Sequence, residues 1–121
     1  MTTEHHVEPR ELLTNEREIL AVVLGAHSFP GADQVTRQIR HTSVTGGLTT
    51  FLDLAVSAKA TAADVPDRPV PGRALVCSPA GEIEGEIIVW LKHGYLAGLE
   101  FAWYTDDPPT AMPELIQIHR Q

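Results

Sequence analysis

The chain of 121 residues is 43% hydrophobic and 21% charged, with nine Gly, nine Pro and one Cys. That composition suits one globular domain over 1–121 and excludes a disordered, collagen-like or disulfide-built chain. Sixteen acidic residues against nine Lys plus Arg leave a net charge of −7, which argues against nucleic acid and anionic membrane as partners, because both require clustered cations.

The start, Met1-Thr2-Thr3-Glu4-His5-His6, shows no apolar run behind a basic opening and hence no visible secretory signal. The longest apolar stretch, Ile19 to Gly25, falls short of the roughly 20 residues a membrane helix needs. Cys77 has no intrachain partner for a disulfide. Together these features point to a cytoplasmic protein.

Residues 1–13 read as a polar lead-in. Thr14-Asn15 then supplies candidate caps for a helix that turns Ile19, Leu20, Val22, Val23 and Leu24 mostly inward and stops near Gly25. Phe29-Pro30-Gly31 punctuates the chain, and a second, short helix is predicted from Ala32 to His41 with Ala32, Val35 and Ile39 on one face. After Gly46-Gly47, Leu48, Leu52, Leu54 and Val56 alternate with Thr49, Phe51, Asp53 and Ala55, the period of a strand.

Pro66, Pro69 and Pro71 make 64–72 a stiff surface loop. Arg73 to Ser78 is a short strand, Pro79 to Glu82 a turn, and Ile83 to Lys92 a longer strand. His93-Gly94 has the length and chemistry of a tight hairpin turn into a strand from Tyr95 to Tyr104. Pro108-Pro109 forbids its continuation, and 105–121 forms a tail that docks through Leu115, Ile116 and Ile118. The sum is an α+β fold: two N-terminal helices packed on one face of an antiparallel sheet of about four strands.

A two-residue turn at His93-Gly94 sets Leu91 opposite Leu96, Trp90 opposite Ala97, Ile88 opposite Leu99 and Glu86 opposite Phe101. This register sorts the hairpin into two faces. Ile83, Gly85, Ile87, Val89, Leu91, Leu96, Gly98, Ala102 and Tyr104 form a core face that also carries Glu100. Glu84, Glu86, Ile88, Trp90 and Lys92 share the other face with Tyr95, Ala97, Leu99, Phe101 and Trp103.

Aromatics mixed with charges mark surfaces that meet partners. Glu84, Glu86, Trp90, Tyr95, Phe101 and Trp103 are therefore the predicted interaction surface, with cover by loops or by a second copy as the competing account. A carboxylate on an apolar strand face would have a raised pKa, which makes Glu100 a weak catalytic candidate. A bulge at Gly98 would instead carry Glu100 to an edge.

His5, His6, His27, His41, His93 and His119 include no pair at ligand spacing beyond the first two, so no metal and no cofactor are expected. Phosphate-loop and dinucleotide fingerprints are absent from the sequence. Leu13 to Leu20 is similar to the opening of response-regulator helix-turn-helix domains, but Ala26-His27-Ser28-Phe29-Pro30 departs from that family's second helix.

The segment Gly94-Tyr95-Leu96-Ala97-Gly98-Leu99-Glu100-Phe101-Ala102-Trp103-Tyr104, followed by Asp106-Asp107-Pro108-Pro109, resembles the C-terminal G-x-L-x-G-L-E-x-A-W-Y-x-D-x-P-P signature of a group of small actinobacterial proteins. That resemblance implies the order of elements above and a bacterial cytoplasmic setting, and it implies no activity. Many members of the group carry closely spaced cysteines before the Asp-Leu of their first strand. Here Gly46 to Leu54 contains none, so a metal role does not transfer.

Residues 61–121 hold nine acids against four bases and include the aromatic hairpin. The sequence therefore points to a non-catalytic protein-interaction module, in one form an immunity-like protein that neutralises a basic partner, or to a homodimer. The alternative is a small-molecule binder or enzyme with a pocket between helices and sheet, built on Glu100 with Tyr104 or Asp53.

Overall fold

Residues 6–26 and 28–120 are described in the computed structural model. The first five residues of the lead-in, including His5, lie outside that range, as do His27 and Gln121. Helix α1 is Thr14–Gly25, and the residues at helical spacing, Ile19, Leu20, Val23 and Leu24, are all buried. Its cap is not the expected Thr14-Asn15 pair. Leu13 holds the cap position and has no side-chain acceptor.

Glu16 compensates by reaching back to accept the Leu13 amide at 2.9 Å, which is one half of a capping box. The same carboxylate accepts two bonds of 2.8 Å from the Arg10 guanidinium. Glu16 is almost wholly buried, so this fork-to-fork pair neutralises a charge that water no longer reaches. The hydrogen bonding to Glu16 raises the Arg10 pKa above its ordinary value, against the opposing effect of burial.

Helix α2 is Ala32–Gln38 and passes into a 3-10 turn over Ile39–His41, where the sequence predicts one continuous helix. The cause lies at Thr42, whose hydroxyl donates to the Gln38 carbonyl at 2.7 Å while its backbone is already extended.

The strands are β1 (Arg10–Glu11), β2 (Thr42–Leu48), β3 (Phe51–Val56), β4 (Ala74–Cys77), β5 (Ile83–Lys92), β6 (Tyr95–Trp103) and β7 (Ile118–Arg120). They form one antiparallel sheet in the order β1-β2-β3-β6-β5-β4-β7. The α+β class and the antiparallel sheet match the sequence reading, but seven strands replace about four.

Each addition has a physical reason. In β2 the pair Gly46-Gly47 sits inside a strand, where the register shifts between Val44 and Gly46, and does not interrupt the chain before it. Strands β1 and β7 have two and three residues, too few to show a period. The polar lead-in and the tail therefore supply the sheet's two edges. The proline loop also pairs: the Val70 amide donates to Val89 at 2.8 Å and the Leu91 amide to Arg68 at 3.1 Å.

Both helices pack on the same side of the sheet. Ile19, Leu20, Leu24 and Val35 meet Val44, Leu52, Val76, Ile87, Val89, Leu96, Leu99 and Phe101 in one buried cluster. Each such side chain contributes about 1.5–3 kcal/mol by leaving water. Met112, Leu115 and Ile118 close against this cluster, whereas Ile116, expected to dock, is 82% exposed.

One polar side chain lies inside this apolar layer. Gln38 is 1% exposed; its Nε2 donates to the carbonyls of Gly94 at 2.8 Å and Thr61 at 3.1 Å, and its Oε1 accepts the Leu96 amide at 3.0 Å. It thereby ties α2 to the β5–β6 turn and to the loop after β3. The near-isosteric Gln38→Leu leaves the buried Leu96 amide unpartnered, while the Gly94 carbonyl keeps the Ala63 amide at 2.8 Å and exposed Thr61 can turn to water; it is expected to cost about 1–3 kcal/mol in urea unfolding followed by circular dichroism. A change within about 0.5 kcal/mol would show that the three bonds contribute nothing net.

Candidate functional site

The His93-Gly94 turn forms as predicted, with φ of 54° and 82°, the left-handed pair that a two-residue hairpin requires. The His93 amide donates to Asp67 Oδ1 at 2.8 Å, which anchors the turn to the proline loop. Beyond the turn, Lys92 pairs with Tyr95 and Leu91 with Leu96, as the two-residue turn dictates. Trp90 then pairs with Gly98, and Ala97 is left over.

That extra residue is a β-bulge, and because side chains alternate with period two it reverses every later assignment on β6. Leu99, Phe101 and Trp103 turn to the helix-covered side, opposite Val89, Ile87 and Gly85. Leu99 and Phe101 are buried there, and Trp103 packs partly buried against the core. Gly98, Glu100, Ala102 and Tyr104 turn to the other side, where Glu100 sits opposite Ile88 and Ala102 opposite Glu86.

The sequence-predicted surface is therefore divided. Glu84, Glu86 and Trp90 stand on the face away from the helices. Tyr95 lies at the hairpin tip opposite Lys92, its hydroxyl 3.5 Å from the Ala60 carbonyl. Phe101 and Trp103 belong to the core side, which corrects the face assigned to them from an unbulged register. The signal was present in the sequence: a glycine inside an apolar strand, Gly98, is where a bulge or a close approach is expected.

The open face gains residues that the alternation had hidden. Phe51 of β3 stacks on Trp90, with ring centroids 6.4 Å apart and planes at 11°. The stack crosses directly over Gly98, where a Cβ would come within 2.9 Å of Phe51 Cε1 and 3.4 Å of Trp90 Cδ1. The Trp90 Nε1–H donates to Glu100 Oε1 at 2.9 Å, so the carboxylate fixes the indole on its far side.

Alongside, Arg73 and Glu86 pair at 2.8 Å in an exposed setting. The Tyr104 pKa is raised above its ordinary value, first by loss of water around the phenol and then by the Glu86 carboxylate, with Arg73 opposing. Tyr104 is 56% exposed. A shallow hollow of about 330 Å³ flanks the stack, bounded by Phe51, Asp67, Arg68, Trp90 and Gly98.

This geometry removes the predicted pocket between helices and sheet. Glu100 and Asp53 both lie on the side without helices, Asp53 opposite Gly98 and exposed. Among the described residues, the hydrogen-bond partner of the Glu100 side chain is an indole, not a second acid or base. Among the described residues no group of three His, Cys, Asp or Glu could hold a metal ion. No described helix is long and apolar enough to cross a membrane.

Fold and site together define an α+β domain whose antiparallel sheet is layered by helices on one side and presents an aromatic and acidic face on the other. In comparisons with protein-family models, curated proteins and solved structures, nothing matches this chain.

The stack over Gly98 can be tested by a double-mutant cycle. Gly98→Ala is expected to cost about 1–2 kcal/mol and alter the near-ultraviolet circular dichroism, because the new methyl displaces Phe51. In a Phe51→Ala background the same change should cost less, since the clashing ring is gone. Additive losses would place the strain elsewhere.

Proposed function

We propose that the protein is a non-catalytic interaction module whose open sheet face binds a basic surface of another protein. The observation that supports this most directly is the single-sided layering. Both helices and the C-terminal segment join one core, and the opposite face carries the Phe51–Trp90 stack with no helix over it. Rigid, stacked aromatics offer large contact area with little side-chain entropy left to lose.

Charge selects the occupant. Asp53, Glu84, Glu86 and Glu100, with Asp67 at the hollow's rim, outnumber Lys92, Arg68 and Arg73 on this face, and Arg73 is already paired to Glu86. A second copy docked face to face would oppose carboxylates with carboxylates, whereas a basic protein would complement them. An immunity-like protein that masks a basic toxin is one specific form of this reading, and a homodimer is the runner-up.

The test joins light scattering to reconstitution. The expected outcome is a monomer in isolation that binds a purified basic protein from its host, with affinity falling as salt rises. Glu86→Lys/Glu100→Lys should weaken that binding about tenfold or more. Binding indifferent to the charge reversal would sink the proposal. A dimer mass that Ile88→Arg abolishes would assign the face to a second copy. Trp103 is the wrong residue to probe, because it packs against the core.

A further inference from the structure

In a chain with seven excess negative charges, three of the nine Lys and Arg residues converge on one hollow. Arg37 of α2, Arg40 of the 3-10 turn and Lys59 of the turn after β3 line a concavity of about 400 Å³, together with Gln34, His41 and the buried Gln38. Among the described residues no carboxylate lines it. Among the described residues none of the three cations forms an ion pair, although Arg10 and Arg73 each have one. Asp33 stands one turn before Arg37 and borders the adjoining hollow with it, also without pairing.

Folding alone explains only part of this cluster. Arg37 and Arg40 stand in the final turns of their helices, where the carbonyl ends favour cations. Lys59 has no such role: it arrives from a different segment and faces two like charges across the hollow. Like charges gathered around one concavity repel unless an anion sits between them.

The two walls are also fastened to each other. The Ser57 amide donates to the His41 carbonyl at 2.9 Å, and Gln38 Nε2 donates to the Thr61 carbonyl at 3.1 Å. The Lys59 turn is closed by the Ala60 amide on Ser57 at 3.1 Å. The backbone that carries the cations is thus set before any ligand arrives, which lowers the entropy cost of binding one.

From this arrangement we infer that the hollow is a binding site for a small polyanion, a phosphate-bearing metabolite of two or more negative charges. Guanidinium forks match phosphate oxygens in pairs, and an ammonium adds a point charge from the third side. The volume lies in the range of small-ligand sites. Three cations in one hollow do not make the extended track that a nucleic acid needs, and the rest of the chain carries sixteen acids against six Lys and Arg. The site is separate from the open sheet face, so the two proposals stand or fall independently.

The experiment is calorimetric titration of the full chain with inorganic pyrophosphate at low ionic strength. Saturable one-site binding is expected. Arg37→Gln and Lys59→Gln should each weaken it about tenfold, the scale of one charged hydrogen bond. Arg68→Gln, which removes a cation elsewhere, should leave affinity unchanged. All three side chains are exposed, so matched unfolding curves can confirm that folding is intact.

Absence of saturation, or equal affinity in the Arg37→Gln/Lys59→Gln double variant, overturns the site. Equal competition by sulfate at matched ionic strength overturns the phosphate assignment and leaves a general anion trap. Tighter binding of a short single-stranded oligonucleotide would assign the hollow to nucleic acid instead.

Discussion

Ala97 is the residue on which the sheet's sidedness depends. Without it, the His93-Gly94 turn would drive Leu99, Phe101 and Trp103 to the face away from the helices and would press Glu100 into the helix layer. That alternative register exposes two aromatics and a leucine and buries a carboxylate, with losses of about 1.5–3 kcal/mol for each apolar side chain and several more for the unpaired charge. The bulge costs one unpaired residue in the ladder between β5 and β6. The balance is decisive, and it is settled by burial rather than by turn geometry.

The same residue explains why the neighbouring positions are small. With Ala97 unpaired, Gly98 falls opposite Trp90 and beneath the Phe51 ring, where a Cβ would collide with the ring and lie in contact with the indole. Further along, Gly85 lies opposite Trp103 on the core side, and a Cβ there would come within 2.3 Å of the Ala102 carbonyl. Backbone cannot yield as a ring can, so Gly85 is the stricter of the two requirements. The bulge, the two glycines and the aromatic stack are one geometric solution, not four separate features.

How much of this was legible follows from the length over which each signal runs. Strands β5 and β6, of ten and nine residues, and helix α1, with four buried apolar positions, carry enough period to be read directly. Strand β2 was hidden because Gly46-Gly47 is the residue pair of a turn, yet here both glycines pair within the ladder, with Asp53 and Leu52. Strands β1 and β7 exist only because β2 and β4 offer edges to pair with, which is information held by the tertiary fold. Alternation alone misplaces Phe101 and Glu100 for the same reason: it is correct on each side of Ala97, and only cross-strand pairing reveals the slip. The cationic hollow is invisible in the sequence because Lys59 is brought beside the i, i+3 pair Arg37 and Arg40 by the Gln38 and Ser57 contacts and not by any spacing along the chain.

Net charge is therefore a poor summary of this molecule. The acidic total conceals an uneven distribution: carboxylates and cations are mixed beside the aromatic stack on the sheet's open side, while Arg37, Arg40 and Lys59 line a hollow where α2 meets the turn after β3. Clustered like charge raises the self-energy of the folded state, because like charges are held nearer than a mixed arrangement would hold them. At the surface each such pair costs only tenths of a kcal/mol, so a core of this extent tolerates the arrangement. The field of the hollow is the more uniform of the two, because three cations line it without an ion pair among the described residues. A fold that confines both helices to one face of its sheet keeps the hollow and the aromatic stack apart, and the Gln38 contacts fix the backbone of the cationic end on the helix side.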